Sequence, residues 1–215
     1  MRPEDIQRVV SILRKEVRKW PVPAIAKYAE TPFTVLISCL LSLRTQDRTT
    51  IAASERLFAI AATPSDMLAV PVDTIEKAIY PVAFFRVKAR TIHDICRRLL
   101  DRFGGEVPSD LDDLLTLPGV GRKTANIVVT IGFRRKGIAV DTHVHRISNR
   151  LGYVRTKNAD ATEMALRRKL PKRYWIMFND LLVAYGQNLC KPISPMCSQC
   201  KIAQYCRRVG VRVSR

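Results

Sequence analysis

Apolar residues recur at helical spacing along almost the whole chain. Near the amino end they stand at positions 6, 9, 10, 13, 17 and 20, which fall on one face of a helix. From Val87 to Phe103 the same spacing places apolar residues at 92, 95, 96, 99, 100 and 103, with a basic face opposite and Gly104 at the end. No Asn-Gly or Asp-Gly turn joins two alternating segments, as a β-hairpin would require. The pattern therefore predicts an all-α protein.

The predicted helices follow one another with short connections. They span 4–19, 33–43, 47–61, 65–70, 73–80, 87–103, 109–115, 121–132, 142–151, 160–169 and 173–187. No Gly/Ser linker, internal repeat or low-complexity tract separates them, so any two domains are expected to pack together. The helix 109–115, the LPGVG turn and the helix from Gly121 form a helix–hairpin–helix.

The turn Leu117-Pro118-Gly119-Val120-Gly121 is suited to binding a phosphate. Two glycines leave no room for bulk and let the backbone turn sharply, so that consecutive N–H groups point outward. The helix that follows adds its positive amino end. The turn is not a P-loop, because Arg122 interrupts the required Gly-Lys-Thr, and not a GxGxxG fingerprint, because Thr124 stands at the last glycine.

Lys123 lies in the first turn of that helix, and Asp141 opens the segment DTHVHRISNRL further along. Arg122 and the helix dipole both disfavour another positive charge at Lys123, which favours a neutral, nucleophilic amine. The simplest alternatives are a solvated lysine and an aspartate that only caps a helix.

The chain carries a large positive charge. Its 215 residues include 37 Lys and Arg against 19 Asp and Glu, for a net charge of +18. Such an excess indicates a polyanionic partner, with nucleic acid favoured over an anionic membrane surface. After Asp180 there is no acid, whereas Lys201, Arg207 and Arg208 are among the cations that follow, and a solvated tail is the simplest explanation.

No segment of the sequence resembles a membrane span or a targeting signal. The longest apolar run, 33–41, is too short to cross a bilayer, and the amino-terminal residues are patterned as part of the fold. We therefore expect a soluble protein. We also predict a monomer in the cytoplasm of a prokaryote, associated with the nucleoid.

Four of the six cysteines cluster near the carboxyl end as Cys190-x6-Cys197-x2-Cys200-x5-Cys206. Four thiolates at this density indicate a metal or cluster in a reducing compartment rather than disulfides. The spacing favours a [4Fe–4S] cluster, and structural zinc, which prefers two tight Cys pairs, is the main alternative. Cys39 and Cys96 lie within apolar helical patterns and are predicted to be core residues.

The combination of LPGVGRKTAN, AVDTHVHR and the four-cysteine pattern resembles the endonuclease III family of base-excision DNA glycosylases, over nearly the whole chain. The resemblance implies two helical domains with DNA in the cleft between them. One is a six-helix barrel, here 22–134, and the other is an iron–sulfur cluster domain, here 1–21 with 135–215. It also implies a substrate, which is double-stranded DNA carrying an oxidised pyrimidine or an abasic site.

The resemblance also implies roles for individual residues. Lys123 would attack C1′ of a flipped-out nucleotide and form a Schiff base, and Asp141 would assist the base loss and the following β-elimination. The position of the side chain that plugs the duplex matches Arg44, where the family usually has glutamine, so Gln46 is an alternative plug. Phe84 matches the apolar wedge, and Phe85 is expected in the core. The predicted DNA-binding set is Leu117, Pro118, Gly119, Val120, Gly121, Arg122, Thr124, His143, Arg44, Gln46 and Phe84.

Two other functions remain open at this point. A monofunctional adenine or thymine-mismatch glycosylase of the same superfamily is disfavoured by Lys123, by the absence of an acid between Thr31 and Gln46, and by the short segment after Cys206. A non-catalytic helix–hairpin–helix protein would bind DNA without needing Lys123 and Asp141.

Overall fold

The computed structural model describes residues 2–20 and 30–215, which contain helices and connecting turns and no strand. Its α-helices are α1 (Ile6–Glu16), α2 (Pro32–Ser42), α3 (Asp47–Ile60), α4 (Pro64–Ala69), α5 (Val72–Ile79), α6 (Phe85–Phe103), α7 (Leu111–Leu115), α8 (Arg122–Ile127), α9 (Thr142–Arg150), α10 (Ala159–Lys169) and α11 (Trp175–Asn188). Short 3₁₀ helices span Pro3–Asp5, Val17–Lys19, Lys172–Tyr174, Cys197–Gln199 and Ala203–Tyr205. The predicted all-α class is confirmed.

The chain divides into two compact units. One comprises Ala24–Arg135, and the other comprises Met1–Pro23 with Lys136–Arg215. The sequence placed these boundaries at 21/22 and 134/135. The first of these lies outside the residues that the structure describes, and the second lies one residue from the observed division.

The unit 24–135 is built around α2. Every residue from Phe33 to Leu41 is buried, so the longest apolar run of the sequence forms a helix that is enclosed on all sides. Helix α6 packs its apolar face on α4 and α5, and Ile92, Ile95 and Leu99 are buried there. Among the described residues, no helix is both long enough and apolar enough to cross a membrane.

Helix ends follow local side-chain chemistry. The Thr31 hydroxyl accepts from the Thr34 amide, and the Thr34 hydroxyl accepts from the Thr31 amide, in a capping box that starts α2. Asp110 caps α7 by accepting from the amides of Asp112 and Asp113, which is why this helix begins at Leu111 and not at the predicted 109. Gly104, with a φ of 62°, ends α6 as predicted.

Helix α8 widens after Ile127 into a π-helical turn, Val128–Gly132, that the sequence pattern did not indicate. The Phe133 amide donates to the Val128 carbonyl over 3.1 Å, five residues back. A Cβ at Gly132 would lie 3.1 Å from the Cα of Pro32, so glycine permits the close packing of this turn on the start of α2.

The second unit has a core formed by α1, α9, α10 and α11. Ile6, Val9, Val10 and Leu13 form the buried face of α1, in agreement with the predicted amphipathic pattern. They belong to one cluster with Phe178, Leu182 and Tyr185 of α11 and with Val144, Ile147 and Leu151 at α9. The segment that carries the four clustered cysteines packs against this core through Cys190, Cys200 and Cys206.

Candidate functional site

The hairpin turn before α8 requires glycine at Gly119. Its φ is 73°, and a Cβ there would meet Thr91 Cγ2 at 3.1 Å and Leu40 Cδ1 at 3.3 Å. The turn is closed by the Val120 amide, which donates to the Leu117 carbonyl over 3.2 Å. Gly119 therefore combines a left-handed backbone with a close approach to α2 and α6.

Gly121 differs from the prediction that both glycines are crowded. Its φ is −94°, and a Cβ there would meet nothing within 4 Å. The expectation of no room for bulk holds at Gly119 and is wrong at Gly121. Because the space beside Gly121 is open, a ligand can approach its backbone closely.

The structure separates the buried from the exposed members of the predicted hairpin set. The side chains of Leu117, Val120 and Thr124 are buried, so only their backbone groups are available to a ligand. The amide N–H groups of Gly119 and Gly121 donate to no acceptor within the part of the chain that the structure describes. These two N–H groups are the hairpin's candidate phosphate donors.

Lys123 is half-buried in the first turn of α8, as predicted. It lies close enough to the buried Cys39 for its charge to act on that thiol, whose pKa is raised to about 12 by burial. Helix α8 is further tied by Asn126, whose Nδ2 donates to the Arg122 carbonyl over 3.0 Å. Both predicted core cysteines, Cys39 and Cys96, are confirmed as buried.

Asp141 caps helix α9. Its Oδ1 accepts from the Val144 amide over 2.8 Å, while Oδ2 accepts no hydrogen bond from the described residues. The capping role and a second role through Oδ2 are compatible, because one carboxylate has two acceptor oxygens.

His143, in the first turn of α9, is half-buried and contacts Arg146. Arg146 Nη2 lies 3.0 Å from His143 Nδ1, and Arg146 donates to the Cys190 carbonyl over 2.9 Å. A Cβ on Gly186 would clash with His143 Nδ1, so glycine at this position allows α11 to pack closely against His143 and Arg146. The network joins the amino end of α9 to the segment that carries the cysteines.

The predicted plug and wedge positions lie side by side in the unit 24–135. Arg44 and Phe84 are exposed, with left-handed φ values of 56° and 58°, and the Arg44 guanidinium lies 5.8 Å from the centre of the Phe84 ring. Phe84 is 61% exposed, in agreement with the expectation that one of the two phenylalanines faces outward. Phe85, expected in the core, is only half-buried and packs edge-on against Tyr80.

Gln46, the alternative plug, is exposed at the N-cap position of α3, and its side chain makes no capping hydrogen bond. Its amide is therefore available, but it lacks the neighbouring aromatic ring that Arg44 has. Both residues stay in the candidate set.

Lys88 is a feature that the sequence analysis missed. Its side chain is buried, and Nζ donates to the carbonyls of Leu41 and Leu43 over 2.9 and 2.7 Å. A signal was present, because position 88 continues the apolar stripe of α6 through Ile92 and Ile95, where a lysine is out of place.

The four clustered cysteines line one cavity in the unit built from the two chain ends. The cavity is partly open to solvent, and Cys190, Cys197, Cys200 and Cys206 all line it. Among residues 2–20 and 30–215, no three His, Cys, Asp or Glu side chains form a group that could hold a metal ion. Thiols spread around a cavity fit a group of several atoms better than one zinc ion.

Polar groups of residues that line the same cavity approach the sulfurs. Arg150 Nη1 donates to Cys190 Sγ over 3.4 Å, and the Arg208 amide donates to Cys206 Sγ over 3.4 Å. The Tyr185 hydroxyl lies 3.2 Å from Cys200 Sγ. Such hydrogen bonds are the outer contacts that thiolate ligands of a cluster receive.

The carboxyl-terminal segment is held against the fold, which corrects the expectation of a solvated tail. The Arg207 and Val209 amides donate to the carbonyls of Leu151 and Arg150, and the Arg215 amide donates to the Pro195 carbonyl over 2.9 Å. Arg207 and Arg208 remain exposed on this ordered segment.

Comparison with known proteins gives consistent matches. Residues 37–172 match the HhH-GPD superfamily of base excision DNA repair proteins. The chain is 43% identical to endonuclease III of Thermotoga maritima over 199 residues, or 92% of each protein. It is 40% identical to endonuclease III of Bacillus subtilis over 177 residues, which are 82% of this chain and 81% of that one.

Solved structures agree with these sequence matches. A non-covalent endonuclease III–DNA complex superposes with a TM-score of 0.87 at 36% identity, over 97% of this chain and 96% of that one. A trapped endonuclease III–DNA covalent intermediate gives a TM-score of 0.85 at 35% identity, over 97% of both chains. The hairpin, the lysine after it, the four-cysteine segment and these matches place the chain in the endonuclease III family of the HhH-GPD superfamily.

Proposed function

We propose that this protein is a base-excision-repair DNA glycosylase and abasic-site lyase that removes damaged pyrimidines, mainly oxidised ones, from double-stranded DNA. The observation that carries the proposal is Lys123, which stands two residues after the hairpin turn in a chain 43% identical to an endonuclease III. A trapped covalent DNA intermediate exists for a protein 35% identical to this one, which supports chemistry through an amine.

Lys123 Nζ is proposed to be the nucleophile. The neutral amine forms a bond to C1′, the glycosidic C1′–N bond breaks, and the base leaves with that electron pair and a proton. The remaining N–H proton passes to O4′ as the C1′–O4′ bond breaks, and the opened sugar is held as an imine of Lys123. Removal of a C2′ proton then expels the 3′ phosphate by β-elimination, and water releases the enzyme.

Asp141 is proposed to assist through Oδ2, the oxygen that the helix cap does not use. A carboxylate can accept the proton that the attacking amine loses, or stabilise positive charge on the sugar as the base departs. The bond from the Val144 amide to Oδ1 fixes the carboxylate in one orientation, so the cap positions the catalytic oxygen.

The hairpin is proposed to hold a phosphate of the damaged strand through the N–H groups of Gly119 and Gly121, with Pro118, Arg122 and His143 as further DNA contacts. Arg44, Gln46 and Phe84 are proposed to fill the gap that an extruded nucleotide leaves. An extruded nucleotide leaves unstacked neighbours, and large planar side chains can replace its stacking.

We propose that Cys190, Cys197, Cys200 and Cys206 hold a [4Fe–4S] cluster, as the family generally does. The cluster's proposed role is structural or in docking DNA, because the cysteines lie in a basic segment far along the chain from Lys123 and this segment is bonded to the end of α9. A colourless protein that contains zinc and no iron would contradict this assignment.

Borohydride trapping tests the proposed activity. The substrates are a duplex with one thymine glycol, a duplex with one abasic site and an undamaged duplex. A covalent adduct forms only through an imine, so we expect trapping on both damaged duplexes by the wild type and none by Lys123→Gln. Lys77→Gln, which removes an exposed cation from the same unit, is the matched control and should trap normally.

The other outcomes separate the alternatives. Trapping on abasic DNA alone would mean that the lesion class is wrong. Tight binding with no trapping on either damaged duplex would favour a monofunctional glycosylase or a non-catalytic DNA-binding protein.

A further inference from the structure

We infer that Lys88 and Thr45 are positioning residues that hold Arg44 and Phe84 together as one preformed edge for entry into the duplex. The inference rests on the proposed function, since it gives that edge a role in base extrusion. It adds two residues whose side chains do not touch DNA in this scheme.

Lys88 supplies a buried ammonium group whose hydrogen-bond partners among the described residues are neutral oxygens. Nζ donates to the carbonyls of Leu41 and Leu43 and lies 3.4 Å from Thr45 Oγ1. Leu41 lies in the last turn of α2 and Leu43 directly follows that helix, so the ammonium caps its negative carboxyl end. A cation buried on an otherwise apolar stripe must be stabilised by such contacts, and here they fix the segment that leads into Arg44.

Thr45 connects this segment to the one that carries Phe84. Its hydroxyl accepts from the Ala83 amide over 3.2 Å and lies 3.3 Å from the Leu43 carbonyl, to which it donates. The Lys88 amide in turn donates to the Phe84 carbonyl over 3.0 Å. Lys88 and Thr45 thus join the loop that carries Arg44 to the loop that carries Phe84. The two loops are far apart in sequence, since Thr45 and Ala83 are separated by 38 residues.

The residues held by these bonds have unfavourable backbones. Arg44 and Phe84 both have left-handed φ values, which side chains with a Cβ rarely adopt. Such conformations persist where surrounding contacts over-determine them, and they cluster at functional sites. Lys88 and Thr45 supply those contacts on the inner side, and the two strained residues face outward.

Arg44 and Phe84 together form an exposed surface on which unstacked bases can stack. The guanidinium of Arg44 lies 5.8 Å from the centre of the Phe84 ring, and the ring is 61% exposed. A planar cation beside an aromatic ring offers two faces to unstacked bases. Holding both in place before DNA arrives reduces the ordering that binding must otherwise impose.

The test compares variants that remove the inner bonds and leave the exposed pair intact. Lys88→Met keeps the length of the side chain and removes the donor, and Thr45→Val keeps the shape and removes the hydroxyl. Thr45→Ser restores the hydroxyl and is the rescue variant. Thr130→Val is the matched control, because the Thr130 hydroxyl is buried and bonds only to carbonyls of its own helix. Thermal unfolding checks that each variant folds.

Two substrates separate positioning from chemistry. The first is a duplex with thymine glycol beside 2-aminopurine, read as single-turnover base release and as the fluorescence change when the lesion leaves the stack. The second is a single-stranded oligonucleotide with a preformed abasic site, read as borohydride trapping. It has no stack to open, so it does not need the edge.

We expect Lys88→Met and Thr45→Val to lower base release and the fluorescence change on the duplex by about tenfold or more, as small misplacements near a reacting group do. Single-strand trapping should be unchanged in both, and Thr45→Ser and Thr130→Val should match the wild type on both substrates. Equal losses on both substrates, or no loss on the duplex, would overturn the inference. If the wild type acts on both substrates and the variants show no loss on the duplex, the inference alone fails. If the wild type neither releases the base from the duplex nor traps the single strand, the proposed function fails with it.

Discussion

Gly119 and Gly121 stand two residues apart in one turn and have opposite surroundings. Gly119 has a left-handed φ and touches α2 and α6, whereas Gly121 has an ordinary φ beside open space. The first glycine is therefore required by the fold, whereas the second has open space in which the proposed phosphate can approach the backbone.

We expect Gly119→Ala to lower the free energy of unfolding by about 1–3 kcal/mol, because the new Cβ is strained and crowded. Gly121→Ala should leave stability within about 1 kcal/mol of the wild type, since its φ suits alanine. It should nevertheless weaken binding to duplex DNA, because the Cβ occupies the space beside the N–H donors. Urea unfolding and fluorescence anisotropy measure the two effects, and unaltered DNA affinity in Gly121→Ala would contradict the phosphate site.

Asp180 provides a pH-dependent test at the residue scale. Burial raises its pKa from 3.8 to about 6, so the folded state binds this proton more tightly than the unfolded state does. Stability from this group is therefore fully present below pH 4 and is lost as pH rises through about 6. We expect Asp180→Asn to be more stable than the wild type at pH 7, by on the order of 1–2 kcal/mol after relaxation of the site. The difference should shrink towards pH 4 in urea unfolding, and a constant difference would contradict this assignment.

At the scale of elements, helical spacing predicted α1 to α11 within a few residues, because these helices bury apolar residues on one face and several of them have a side-chain cap or a glycine at an end. Three details lay beyond that pattern. The π-helical turn at 128–132 depends on packing against Pro32, and the left-handed residues Arg44 and Phe84 depend on bonds from Lys88 and Thr45. Long-range contacts decide these features, and a single sequence does not state which segments meet.

The crossing of α9 and α11 at Gly186 leads to an element-scale prediction. Gly186→Ala would force His143 and Arg146 aside, and Arg146 would lose its bonds to the Cys190 carbonyl. We expect a loss of about 2 kcal/mol or more in stability, the usual cost of overpacking with a broken buried hydrogen bond. We also expect less iron per protein molecule. Gln187→Ala, on the exposed side of the same helix, is the control, and a normal iron content in Gly186→Ala would argue against a link between this crossing and the cysteine segment.

At the scale of the whole molecule, the carboxyl-terminal segment is both positively charged and held in place by hydrogen bonds to the fold. The net charge of +18 predicts a strong, sequence-independent attraction to phosphates, and the structure shows that Arg207 and Arg208 are presented on a segment bonded to the fold. An ordered cation can make a defined phosphate contact, whereas a solvated tail contributes only a diffuse field.

Replacement of Lys201, Arg207 and Arg208 by glutamine should reduce the salt dependence of DNA binding. The slope of log K against log salt should fall by about 0.9 for each phosphate that the variant no longer neutralises, with little change in single-turnover rate at saturating enzyme. Replacement of Lys77, Arg97 and Arg102 removes the same charge from the other unit and is the comparison. Equal slope changes in the two triple variants would mean that only net charge matters.

The discontinuous unit has a consequence for the order of events during synthesis. The apolar face of α1 is made before its core partners on α11, which emerge only after residues 17–174 have been translated. The continuous unit, 24–135, can fold in that interval, while α1 must wait with Ile6, Val9 and Leu13 uncovered. The last cysteine, Cys206, appears later still. A nascent chain stalled before α11 is therefore expected to have one folded unit, 24–135, and an α1 whose apolar face is still exposed. Chaperones can bind that exposed face.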